Sequence, residues 1–413
     1  MEPRTGLVVV AGLPADAVTQ VADGLLTVTP GTVVVHHDLR RLAQGVVTRR
    51  VRAAEGEQVT AVELAHGCVS CTLREDLLPL LVTLAGRPSV RRIVLHLDPA
   101  LEPESICWAL HHVLLTGEIT VTDRVDIEAV LTVVDLATWL SDATGDEDLA
   151  ERGLAVTADD DRTLAQVVVG QVEFADALIL AGIPGHAWTA ARTTAVLDRL
   201  APAVPGVRIE DADLPALLSA VPADARRGRA DDPHGPILRG QPPLDTDCGI
   251  ALTVFTERRP FHPERLHAAI DVLLEGVVRA RGRFWVASQP DAALWLESAG
   301  GGLSIGHVGP WLATIEESTW DEESPERRAM AALRWDPYYG DRAQELAILT
   351  HQADPNEITA ALNAALLTDA ELAEGREHWR QLPDPFGDWH VEPCDDRAAS
   401  DQDTESTTGG ERA

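Results

Sequence analysis

The sequence predicts a mostly parallel α/β sheet with helices on both faces, followed by a smaller α+β domain. Three observations carry that expectation. Short apolar runs alternate with helix-period segments over roughly the first two hundred residues, the rhythm of successive βα units. A stretch rich in Pro, Gly, Arg and Asp at 222–248 interrupts the rhythm. A second, strand-rich pattern then opens at Ile250.

The elements follow in order. Leu7 to Ala11 is a buried strand that turns at Gly12, Leu13 and Pro14. A helix is predicted over 15–26, with Val18, Val21, Ala22 and Leu25 at helical spacing. Strands are predicted at 32–35 and 58–64, and a helix at 74–85 striped by Leu77, Leu78, Leu81 and Leu84. Strands at 92–97, 127–134 and 177–180 alternate with helices at 104–113, 164–174 and 189–200. Residues 1–221 thus form the first domain, and 222–248 a linker or an extended crossing segment. The second domain, 249–391, has strands at 250–255, 283–287, 293–297, 303–307 and 345–350, with helices at 263–274, 325–334 and 355–366. The acidic tail, 392–413, has no large apolar residue to bury and is expected to be disordered.

Composition excludes several functions. The formal charge is −32, from 66 acidic and 34 basic residues. Nucleic acid and anionic membrane both need a concentrated basic face, so neither is an expected partner. No apolar run approaches the ~18 residues of a membrane span, and no signal segment is evident, so a cytoplasmic location is expected. Every basic residue is arginine. Without lysine there is no Schiff-base chemistry and no intact G-x-x-x-x-G-K-[ST] phosphate loop. The five cysteines are too scattered for a disulfide framework, and only Cys68 and Cys71 are spaced as C-x-x-C. Zinc ligation, inert buried thiols and thioredoxin-like redox chemistry are the three readings of that pair.

Gly67, Cys68, Cys71, Thr72, Arg74, Asp76 and Leu77 resemble the signature of the CobW-type, metal-linked GTPases, with Ser70 where the family has a middle cysteine. Arg259, Pro260, Phe261 and His262, then Arg279, Arg281 and Gly282, are similar to that family's C-terminal domain; Arg281 replaces a lysine. The resemblance implies a P-loop-type sheet in the first domain, and GTP and zinc as ligands. The nucleotide motifs depart from it. Aligning the phosphate loop on residues 12–19 keeps Gly12 and Thr19 but puts Ala17 and Val18 where Gly and Lys belong, leaving at most weak anion binding by a helix N-terminus. The guanine-reading Asn-Lys-x-Asp becomes Ala181, Gly182, Ile183 and Pro184. A pseudo-GTPase is therefore expected, with no catalytic residues and GTP an improbable cofactor. Such erosion resembles a mycobacterial branch of the family that recruits a ribosome hibernation factor when zinc is scarce. The resemblance implies a non-catalytic adaptor whose partner is that factor or the ribosome. The alternative is a zinc-trafficking metallochaperone with residual or unorthodox GTP binding, in which Arg40, Arg41, Arg49 or Arg50 replaces the lysine.

Cys68, Cys71 and His66 are the metal-ligand candidates, with Glu63 as a fourth. His36, His37 and Asp38 either add ligands or form a polar strand end. Asp98 is a cation candidate beside the phosphate site. Arg226, Arg227 and Arg229 form a short basic run that either touches phosphate or is a solvated linker. The aromatics of 335–339 and 386–389 either anchor a partner or pin the tail to the second domain.

Overall fold

The computed structural model describes residues 4–64, 66–157 and 159–387. The 392–413 tail, Cys394, Asp388 and Trp389 lie outside them.

The first domain is built on eight strands: β1 (Thr5–Gly12), β2 (Thr32–Asp38), β3 (Val46–Ala53), β4 (Gly56–Glu63), β5 (Arg92–His96), β6 (Val125–Asp135), β7 (Ala177–Ala181) and β8 (Gly206–Arg208). Their order is β4-β3-β2-β5-β1-β6-β7-β8. The β2-β5-β1-β6-β7-β8 pairings are parallel, and the β3–β4 hairpin adds an antiparallel edge. All eight residues of β1 are buried, as a central parallel strand covered on both faces requires. Val8 and Val10 pack with helix α1 (Ala15–Val28), while Leu7, Val9 and Ala11 face the opposite core with Leu78, Leu81 and Ile106. The period of two in β1 thus feeds two separate cores.

The second domain is an antiparallel sheet of β9 (Ala251–Glu257), β10 (Val277–Phe284), β11 (Ala292–Ala299), β12 (Gly302–Pro310) and β13 (Gln344–Thr350), ordered β12-β11-β10-β13-β9. One apolar cluster runs across both domains, joining Trp139, Val168 and Leu200 to Ile250, Val278 and Leu349. Within it Glu173 of the first domain meets Arg279 at 2.9 Å and Arg281 at 3.2 Å. Arg281 thus uses its charge to close the domain junction. The 222–248 stretch crosses this junction in irregular backbone. Arg283 Nη1 donates to the Pro233 and Gly235 carbonyls at 2.9 and 2.7 Å, and Arg199 Nη2 to the Asp245 carbonyl at 2.5 Å.

Several elements differ from expectation, among them the short strand β8 and helices at Trp139–Thr144 and Leu214–Ala220, which were not expected. Strand β3 is additional, because its arginines at 49, 50 and 52 mask the alternation. The strand expected at 283–287 is β10, at 277–284. Its Arg279 and Arg283 are buried in ion pairs, so polar letters occupy core positions. The helix expected at 74–85 starts at Val69 and passes through a π turn over Leu73–Leu77.

Candidate nucleotide and metal site

In sheets of this type ligands sit outside the carboxyl ends of the parallel strands. There β1 ends at Gly12 and α1 begins at Ala15, so only Leu13 and Pro14 join them. A phosphate loop on residues 12–19 needs its middle residues free to curl their amides around an anion. Here they are wound into helix, and the Val18 amide already donates to the Pro14 carbonyl at 3.0 Å. Val18, at the position aligned with the lysine, is buried in the core against Val8, Val10 and Val21. Gly12 has φ +145°, and a Cβ there would lie 2.5 Å from the Val133 carbonyl oxygen. Strand packing alone therefore requires glycine at this position. Thr19 is half-buried one residue along the helix from Val18.

The cavity at this end is about 150 Å³, bordered by Leu13, Thr132, Asp135, Asp142 and Arg152. Small-molecule pockets begin at about 300 Å³. Its one arginine is committed: Arg152 bonds Asp142 at 3.0 Å and Glu147 at 2.9 Å. At the guanine end, Gly182 has φ +70° beside the Asp135 carboxylate, and its carbonyl accepts from Arg208 Nη2 at 2.7 Å. The arginines proposed to replace the missing lysine are engaged too. Arg40 pairs with Asp38, Arg41 donates to Gln44 at 3.3 Å, Arg49 bonds Asp76, and Arg50 reaches Glu57 at 3.5 Å.

Cys68 and Cys71 are brought together. Cys68 is the N-cap of the helix that begins at Val69, and its sulfur accepts from the Cys71 amide at 3.3 Å. The two Sγ atoms are 2.9 Å apart, both as free thiols. Zinc at 2.3 Å from each sulfur in tetrahedral geometry needs them about 3.8 Å apart, a small opening for two half-buried side chains. Burial, then the Cys68 thiol, push the Cys71 pKa up to about 11. Zinc would have to displace that proton. His66 is exposed and does not join them, and Glu63 is exposed at the end of β4. Among the described residues no three His, Cys, Asp or Glu side chains assemble as a metal site. A zinc ion on this pair would need further ligands from rearrangement, from water or from a receiving protein.

Neighbouring titratable groups are spent on structure. Asp76 of the signature bonds His37 Nε2 at 2.7 Å and Arg49 Nη1 at 2.5 Å, tying the cysteine-bearing helix to β2 and β3. His36 Nδ1 meets the His96 carbonyl at 3.0 Å, and the two rings are 4.4 Å apart. Asp98 accepts from the Leu39 amide at 3.0 Å and the Ala100 amide at 3.2 Å, so the cation candidate is a buried backbone clamp. Sequence reasoning missed the Asp76 anchor. Asp76 was visible in the motif, but its partners lie 39 and 27 residues away with no local pattern.

Comparison with known proteins defines the class. Residues 37–200 match the CobW/HypB/UreG nucleotide-binding domain, and residues 250–366 the cobalamin synthesis protein cobW C-terminal domain. The first match starts downstream of the β1–α1 junction. The chain belongs to the CobW family. It is 46% identical over 405 residues to a zinc chaperone of Mycobacterium tuberculosis, covering 95% of each chain. It is 28% identical over 345 residues to the zinc-regulated GTPase metalloprotein activator 1 of Dictyostelium discoideum, covering 82% of this chain and 72% of that one. The solved Zn(II)-bound YjiA GTPase from E. coli is 14% identical, covering 88% of this chain and all of that one, with a TM-score of 0.37. No helix among the described residues is long and apolar enough to cross a membrane.

Proposed function

We propose that this chain is a zinc metallochaperone that carries its metal on Cys68 and Cys71 and has given up the phosphate switch of its family. The thiol pair at the head of the cysteine-bearing helix carries the zinc half of the reading, with the zinc-handling relatives in support. The two-residue β1–α1 turn with buried Val18 supports the loss of the switch, and hence a pseudo-GTPase. An incomplete ligand set suits a carrier, because a partner that completes the tetrahedron takes over the metal. The test is a zinc competition titration against a chromophoric chelator. The wild type is expected to bind one zinc, and Cys68→Ser with Cys71→Ser to bind none. Equal zinc binding by both would refute the assignment.

A second reading keeps the fold as an adaptor, favoured by the same closed turn. Its specific form, recruitment of a ribosome hibernation factor or the ribosome under zinc limitation, rests on the family resemblance. Affinity purification from zinc-limited cells should recover one or the other; recovery of neither would count against it.

A further inference from the structure

A wide cavity lies at the opposite end of the first sheet, where β1, β5 and β6 begin. It measures about 810 Å³, within the range of small-molecule sites, whose upper end is about 1,000 Å³. Ligands of such sheets bind at carboxyl ends, so this cavity is not the remnant of the nucleotide site. In a chain of charge −32 it gathers Arg4, Arg92, Arg227, Arg229 and His111. Two carboxylates line the cavity with them, and a third, Asp176, lies buried behind Arg227. Asp126 pairs with Arg4 at 3.1 Å, and Glu128 with Arg92 at 2.9 Å.

Neither Arg227 nor Arg229 has a side-chain ion pair among the described residues. Arg227 spends its side chain on neutral carbonyls, those of Glu128 and Ala223, both at 3.2 Å. Its backbone is held at φ +44°, a costly conformation for a non-glycine residue. The buried Asp176 carboxylate enforces it by accepting the Arg227 amide on both oxygens at 3.1 Å and the Val130 amide at 2.9 Å. The turn is thereby bolted to the sheet. Arg226 is turned inward over the Phe174 ring while Arg227 and Arg229 line the cavity. Arg229 is exposed, and its side chain has no partner among the described residues. Arg92 Nε and His111 Nε2 also have no hydrogen-bond partner there. Val125 and Leu218 supply an apolar wall.

We infer that this cavity binds a small phosphate-bearing ligand, with Arg227 and Arg229 as its charge partners. A phosphoryl group suits two guanidiniums that lack side-chain ion pairs, and the arginine fork fits its oxygens. Isothermal titration of the full chain with inorganic pyrophosphate and with AMP tests this. Either probe should bind; tighter pyrophosphate marks a polyphosphate site, and tighter AMP an organic phosphate site. Arg229→Glu should weaken binding about tenfold or more. Arg87→Glu, the same charge change at an exposed arginine elsewhere, should leave it within about twofold. Equal weakening by both variants would reduce the effect to net charge and overturn the proposal. So would failure of both probes to bind, including the case in which only an acidic peptide binds.

Discussion

Asp135 Oδ1 occupies the space a side chain at Gly182 would need: a Cβ there would lie 2.1 Å from it. The oxygen is held in place by the Ala137 amide at 2.9 Å. The turn at the position aligned with the guanine-reading motif is therefore closed over an acidic neighbour. Restoring the lysine by Gly182→Lys should not restore GTP binding. It should cost about 1–3 kcal/mol, because φ +70° strains any side chain and the carboxylate must be displaced. Thermal unfolding measures the cost, and calorimetry with magnesium–GTP the absence of binding.

Val18→Lys is the matching test at the phosphate end. The side chain would enter the core of Val8, Val10 and Val21, where an unpaired ammonium is strongly disfavoured. A loss on the order of 3 kcal/mol or more is expected in urea unfolding. Wild-type stability together with new GTP binding would mean that the loop reopens easily.

Asp76→Ala should leave His37 and Arg49 without their shared partner at the root of the cysteine-bearing helix. His37 Nδ1 is already buried without a hydrogen-bond partner among the described residues, so this side chain has nothing in reserve. A destabilisation on the order of 3 kcal/mol is expected. Zinc affinity should fall as well, because the helix that presents Cys71 loosens. Asp76→Asn, which keeps one acceptor oxygen, should lose less of both.

The His96 ring predicts a pH dependence. Burial, then the charges of His36 and Arg52, hold its pKa down at about 3. Unfolded, it titrates near its ordinary value of about 6.5. Below that pH the unfolded chain takes up a proton that the folded chain refuses. Stability present above about pH 6.5 is therefore lost as pH falls towards about 3, at up to about 1.4 kcal/mol per unit. His96→Gln should flatten the pH dependence of the urea midpoint between about pH 6 and 4. An unchanged slope would assign the loss to other groups.

Much of this was legible in the sequence, for identifiable reasons. Leu7 to Ala11 reads as a central strand because it is apolar on both faces. The stripe of Val18, Val21, Ala22 and Leu25 already marks a helix from residue 15. What escaped was polar and non-local. Arg279 and Arg283 look like surface residues until Glu173 and Glu345 are placed beside them. The basic run at 226–229 reads equally as solvated linker, and only Asp176, some fifty residues earlier, directs it into a cavity. The cysteine pair was visible as spacing, but its missing third ligand was not.

The most direct test of a zinc carrier without a phosphate switch is its zinc affinity with and without saturating magnesium–GTP. If the β1–α1 turn is closed as the geometry supports, zinc affinity should be the same in both, within about twofold. A GTP-dependent change of about fivefold or more, the lower end of ordinary allosteric coupling, would show a working nucleotide site and contradict the proposal.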